Sequence, residues 1–268
     1  MKKSYEGLHT VVTGAASGIG AATIASLAEQ GARITALDVR PITAEGVRSI
    51  EIDLGDPAAI DKAVASIDGP IDALFNVAGV PQTRPAVDVM RVNVLGLRHL
   101  TEALLPSMPA GSAIANVASI AGNEWPGHLD RIKELLALSS FDEALAWCEA
   151  NPDDLGDGYF FSKECVVVYT FQLSKRAIAK GVRVNSVSPG PVESPMMPDF
   201  RATIGSQTLE WTAKQAIGRM AEPREMVPPL LFLNHPESTY VNGLNLVADG
   251  GFTAAFNLGE VDFSALAG

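Results

Sequence analysis

An apolar run rich in β-branched residues, His9 to Thr13, passes directly into Thr13-Gly14-Ala15-Ala16-Ser17-Gly18-Ile19-Gly20. That string in turn opens a stretch of helical periodicity marked by Ile19, Ala22, Ile24 and Leu27. The three glycines permit a tight turn and a close approach of backbone N–H groups to a ligand. Together with the positive end of the helix dipole, those groups suit a pyrophosphate. A glycine-rich string alone constrains little. The order strand, glycines, helix constrains much, because it is the opening of a βαβ unit in a parallel sheet.

The rest of the chain repeats the alternation. Short apolar strands are predicted at His9 to Thr13, Arg33 to Asp38, Ser49 to Ile52, Ala73 to Asn76, Ser112 to Val117, Arg183 to Val187 and Asn245 to Ala248. Helical spacing lies between them at Gly18 to Gln30, Asp61 to Ile67, Val87 to Leu105 and Gly158 to Ala179. This pattern predicts an α/β fold: one Rossmann domain spanning residues 1–268, with a doubly wound, seven-stranded parallel sheet. With 268 residues, 47% of them apolar, the chain can bury a full core. Residues 122–157 interrupt the alternation with two amphipathic helical stretches, the second opened by Ser140 and Glu143 at capping-box spacing.

Charge narrows the partners. A net charge of -11 and an isoelectric point near 4.8 oppose binding to nucleic acid and to anionic membranes, so a small-molecule partner is expected. The N-terminal MKKSYEGLHT has no apolar core of a signal peptide, and no stretch reaches the length of a membrane span, which makes the cytoplasm the expected location. Cys148 and Cys165 have no CxxC spacing and read as small buried thiols. None of His9, His99, His128 and His235 stands at ligand spacing, so no metal is expected. There is no Gly-x-Ser-x-Gly elbow, against an α/β hydrolase.

Eighteen residues beyond Gly20, at the end of the second strand, stands Asp38. A carboxylate there can accept from both hydroxyls of an adenosine ribose and would repel a 2′-phosphate, which predicts NAD over NADP. Arg40 could meet a phosphate, but Asp38 holds the nearer position. Tyr159 and Lys163 are four apart on a helical stretch and share a face, so an ammonium beside the phenol is expected to lower its pKa toward the range of a general acid/base. Ser119 follows the fifth strand, where a hydroxyl can meet a substrate oxygen at the sheet's carboxyl edge. Asn93, inside a helical segment, needs partners, and a carbonyl-water-ammonium chain to Lys163 would supply them.

Taken in order, the glycine turn, Asp38, Asp53-Leu54, Asn76-x-Ala78-Gly79, Asn93, Ser119, Tyr159-x-x-x-Lys163 and Pro189-Gly190 with Val192 and Ser194 resemble the short-chain dehydrogenase/reductase family over essentially the whole chain. The resemblance implies hydride transfer at nicotinamide C4. Tyr159 would be proton donor or acceptor, Lys163 its pKa modifier and a ribose ligand, Ser119 the orienter of the substrate oxygen, and Asn93 the anchor of a relay water. It implies NAD contacts from Gly14, Ser17, Gly18, Ile19, Gly20, Asp38, Val39, Asp53, Leu54, Asn76, Ala78, Gly79, Tyr159, Lys163, Pro189, Gly190, Val192 and Ser194, the last two toward the carboxamide.

Two departures refine the resemblance. The stretch from Gly79 to Asn93 is short for the family, and Ser119 and Tyr159 lie far apart with the helical pair between them. Both features resemble a subgroup of bacterial 3α-hydroxysteroid dehydrogenase/carbonyl reductases and coniferyl-alcohol dehydrogenases. In that subgroup the insertion covers a face used for tetramers, implying a homodimer here, with a tetramer as the alternative; a substrate lid and a surface elaboration are its other readings. Trp125, Trp147, Phe160, Met196, Met197, Phe200 and Trp211 offer apolar surface for a bulky substrate, or else core and interface. The expected activity is interconversion of a hydrophobic, 3α-hydroxysteroid-like secondary alcohol and its ketone. The alternatives are oxidation of a coniferyl-type primary alcohol and, more remotely, a non-catalytic dinucleotide sensor.

Overall fold

In the computed structural model, which describes residues 4–266, seven strands form one fully parallel sheet. They are β1 (His9–Thr13), β2 (Arg33–Asp38), β3 (Val47–Glu51), β4 (Ala73–Asn76), β5 (Ala113–Val117), β6 (Arg183–Pro189) and β7 (Asn245–Ala248), in the order β3-β2-β1-β4-β5-β6-β7. Lys2 and Lys3 of the N-terminal segment lie outside the described residues. The central strands are buried on both faces, as a sheet covered by helices on each side requires. Alternation divides their side chains: Val11, Leu74 and Ile114 enter one core, Val12, Phe75 and Ala115 the other.

Helices α1 (Gly18–Glu29), α2 (Pro57–Ser66), α3 (Ala86–Met90) and α4 (Leu97–Leu104) serve the first half of the chain. The insertion contributes α5 (Trp125–Ala137), α6 (Phe141–Ala150) and α7 (Pro152–Leu155). Helices α8 (Tyr159–Ala177), α9 (Met197–Thr203), α10 (Ser206–Gln215), α11 (Val227–Asn234) and α12 (Phe252–Leu258) complete the set. Among the described residues no helix is long and apolar enough to cross a membrane.

The differences from the sequence reading have local causes. Helix α2 starts at Pro57, four residues before the expected Asp61, because Asp56 caps it by accepting from Ala58 N at 2.9 Å. Strand β3 starts earlier, at Val47, which pairs with Ile34. Ser112 drops out of β5 because its N–H bonds the Pro109 carbonyl in a turn, whereas β6 runs on to Pro189 because that residue pairs with Ala248. The single helix expected from Val87 to Leu105 is three pieces, with a π-helical turn, Arg91–Gly96, between α3 and α4. Gly96 permits that path, since a Cβ there would lie 2.0 Å from the Leu54 carbonyl oxygen.

The insertion is part of the fold's interior. Ser140 and Glu143 form the expected capping box, a third helix follows the expected two, and Ile132, Leu135, Ala144 and Cys148 join the same core as Cys165 and Val166 of α8. Trp147 stacks on Phe161 with centroids 6.3 Å apart, under the guanidinium of Arg131, which also clasps Asp154 of α7. This removes the reading of the segment as a surface elaboration.

Candidate active site

The chain leaves β1 for β2 and β3, then returns to β4 on the other side of β1, and a cavity of about 700 Å³ lies at the carboxyl ends of the strands where the order reverses. The glycine turn builds one wall. Gly14 adopts φ +66°, and a Cβ there would stand 2.7 Å from Ala78 Cα; one on Gly20 would stand 2.1 Å from the Gly14 carbonyl oxygen. These two glycines exist so that backbone can touch backbone. On Gly18, at φ +54°, a Cβ would instead stand 3.6 Å from the Ser194 Cβ, in the cavity.

Asp38 ends β2 and is only 9% exposed. Its carboxylate accepts from Ala16 N–H at 2.9 Å and Arg40 N–H at 3.0 Å, with Arg40 Nε at 3.5 Å, while Arg40 Nη2 donates to Ser17 Oγ at 2.8 Å. Each carboxylate oxygen retains acceptor capacity beyond these bonds. With a glycine turn on one side and a lone carboxylate at the strand end, the donor set fits a dinucleotide whose adenosine ribose bears free hydroxyls. Val39, Asp53 and Leu54 line the same end.

At the other end stand the titratable groups. Gly158, at φ +82°, starts α8, and Asp157 Oδ1 accepts from the Tyr159 N–H at 2.9 Å. Tyr159 and Lys163 therefore share the helix face turned to the cavity. Ser119, just past β5, accepts from Ala121 N–H at 3.1 Å, and its hydroxyl lies near enough to the Tyr159 phenol to favour the phenolate. Lys163 Nζ donates to the Val117 carbonyl at 3.1 Å and lies 5.6 Å from the centre of the Tyr159 ring. Burial dominates both groups. It pushes the Tyr159 phenol up to about 12, against the lowering influence of the Ser119 hydroxyl, and pulls Lys163 down to about 8. The sequence reading expected the ammonium to lower the phenol; here desolvation dominates and raises it.

Of the expected site residues, Asn76 and Asn93 stand away from the cavity. Asn76 Nδ2 bonds Thr101 Oγ1 at 2.9 Å and Asn116 Oδ1 at 2.8 Å, so its side chain ties β4 to β5 and α4 and touches no ligand space. Asn93, in the π turn, accepts from Val80 N–H at 2.8 Å and donates to the Val80 carbonyl and to Ser162 Oγ. Its side chain holds the loop after β4 beside Lys163. The remaining expected residues line the cavity.

Phe160, Met196, Met197 and Phe200 line it as well, Phe200 meeting the Tyr159 ring edge-on at 5.1 Å. Trp125, Trp147 and Trp211 do not: they pack on Phe171, Phe161 and Phe252, because their helices turn those positions inward. Sequence reasoning missed Val80, Pro81 and Arg84, whose loop carries no periodicity, and the Thr83 hydroxyl, which donates to Asp199 at 2.8 Å and joins that loop to α9. Among the described residues no cluster of His, Cys, Asp or Glu could hold a metal ion. His128 is half exposed, yet its Nδ1 lies 2.8 Å from the buried carboxylate of Glu164, beside Lys163.

Residues 8–129 match the family described as short chain dehydrogenase, and residues 137–253 match one described as enoyl-(acyl carrier protein) reductase. The chain is 36% identical to a coniferyl-alcohol dehydrogenase of Pseudomonas sp. (strain HR199 / DSM 7063), covering 92% of this chain and 96% of the relative. It is 34% identical to a 3-alpha-hydroxysteroid dehydrogenase/carbonyl reductase of Comamonas testosteroni, covering 91% and 96%. The crystal structure of a 3-alpha-hydroxysteroid dehydrogenase from Pseudomonas sp. B-0831, complexed with NADH, superposes with a TM-score of 0.80 at 29% identity, over 93% of this chain and 98% of that one.

Proposed function

Because the chain belongs to the short-chain dehydrogenase/reductase family, we propose that it is an NAD(H)-dependent oxidoreductase interconverting a hydrophobic secondary alcohol, hydroxysteroid-like in shape, and its ketone. One observation carries the reading: the Tyr159 phenol, close to Ser119 and with Lys163 Nζ 5.6 Å from its ring centre, lines the cavity whose other end is Asp38. Bound nicotinamide supplies the hydride donor or acceptor carbon. The protein's own residues do the rest. Ser119 orients the substrate oxygen, and Tyr159 Oη takes or gives the hydroxyl proton. Lys163 stabilises the phenolate and reaches the nearby ribose. Asn93 fixes the Val80 backbone and, through a water, the far side of Lys163. Val192 and Ser194 would meet the carboxamide. Asp38 excludes a 2′-phosphate by charge.

The similarity to the coniferyl-alcohol dehydrogenase supports a second reading, an aromatic primary alcohol seated against Phe200. The insertion supports a homodimer in either case, with a tetramer as the alternative, and the cytoplasm is the location proposed for the protein. The test is NADH formation from NAD, and separately NADPH from NADP, over a panel of a 3α-hydroxysteroid, coniferyl alcohol, benzyl alcohol and cyclohexanol. Turnover of the steroid with NAD supports the first reading, selective turnover of coniferyl alcohol the second. Tyr159→Phe is expected to lower kcat by about 10²- to 10⁴-fold while NADH still binds; full activity in that variant would sink the proposed proton transfer.

A further inference from the structure

In a chain with 31 acidic residues against 20 basic ones, an arginine finds a partner readily. Of its twelve arginines, all but Arg84 have a guanidinium that donates a hydrogen bond or lies within 4.0 Å of a carboxylate. Among the described residues Arg84 does neither. It is exposed, at the open edge of the cavity that it lines together with Val80 and Pro81.

Its position along the cavity follows from its neighbours. Thr83 is bonded to Asp199, one residue before the Phe200 that touches Tyr159. On the other side, the Ala86 backbone packs so closely on Gly158 that a Cβ there would lie 2.7 Å from Ala86 Cα. Arg84 is therefore held at the Tyr159 end. The acids that line the cavity, Asp38 and Asp53, belong to the opposite end, at and beyond the tip of β2. Among the described residues the Arg84 guanidinium has no protein acceptor, and it stands at the rim of the end that holds Tyr159.

We propose that Arg84 binds a carboxylate carried by the substrate, so that the substrate class is an apolar, ring-bearing hydroxy acid with its hydroxyl at Tyr159 and its carboxylate at Arg84. The inference deepens the activity proposed above and rests on it. The planar fork of a guanidinium matches a carboxylate with two parallel N–H···O bonds. No internal bond has to break first.

The experiment compares a 3α-hydroxysteroid bearing a side-chain carboxylate with its methyl ester, using wild type, Arg84→Gln and Arg84→Lys. In the wild type the acid is expected to exceed the ester in kcat/KM by about tenfold, the scale of one charge-assisted pair at a partly open site. Arg84→Gln is expected to bring the acid-to-ester ratio near one, chiefly through KM for the acid, with Arg84→Lys in between and high salt reducing the wild-type preference. Calorimetric titration of the acid into the NADH-loaded protein gives a readout without turnover, with affinity about tenfold weaker in Arg84→Gln. An ester turned over as well as the acid, or a ratio unmoved by Arg84→Gln, overturns the inference and leaves the oxidoreductase reading standing. Arg84-dependent binding without turnover keeps the carboxylate site but overturns the placing of the hydroxyl at Tyr159; neither binding nor turnover overturns both.

Discussion

Lys163 is 5% exposed, with its ammonium on the Val117 carbonyl, and burial lowers its pKa from 10.5 to about 8. The folded pKa lies below the unfolded one. Between about 8 and 10.5 the unfolded chain therefore binds more protons, and stability rises with pH across that window. Below it the folded protein bears the whole cost of a buried charge, on the order of 3 kcal/mol. Lys163→Met is expected to flatten this rise, which calorimetric melting of both proteins across the window would reveal, and to lower kcat at least about a hundredfold. Parallel melting curves would mean that the ammonium is solvated in a way the geometry does not provide.

The catalytic helix is set by its first contact. Gly158 takes φ +82° with the Ala86 backbone where a Cβ would stand, so Gly158→Ala must both strain the backbone and push α8 off the loop that carries Arg84. The expected result is a loss of about 1–3 kcal/mol in denaturant unfolding and a kcat reduced more than about tenfold. Gly156, at φ +55° with open space around it, supplies the control: Gly156→Ala is expected to show the backbone cost alone, with turnover kept. At this scale the sequence was most informative where local chemistry decides. The glycine turn, the Ser140 and Glu143 box and the Tyr159 and Lys163 pair were all legible, because each depends on residues within a few positions. Asn76 was misread because its partners, Thr101 and Asn116, are 25 and 40 residues away. The π turn went unseen for the same kind of reason: it depends on Gly96 passing the Leu54 carbonyl, a contact no periodicity announces.

Over the molecule as a whole, four of the exposed apolar side chains fall in the last stretch of the chain: Val247 in β7, Phe256 and Leu258 of α12, and Phe263, which meets Phe256, each more than a third exposed. The insertion packs on α8 at a different place. A dimer across the β7 and α12 edge is expected, and sedimentation equilibrium should give twice the chain mass, falling to one in Phe256→Asp; a tetramer would contradict the idea that the insertion covers the second face. One consequence of the glycine turn reaches the molecule's timing. Since Gly14 and Gly20 press backbone on backbone, and Asp38 bonds the Ala16 N–H, the turn is shaped before any ligand arrives. Association then waits on no rearrangement of the cradle, and dinucleotides that differ in affinity differ chiefly in how long they stay.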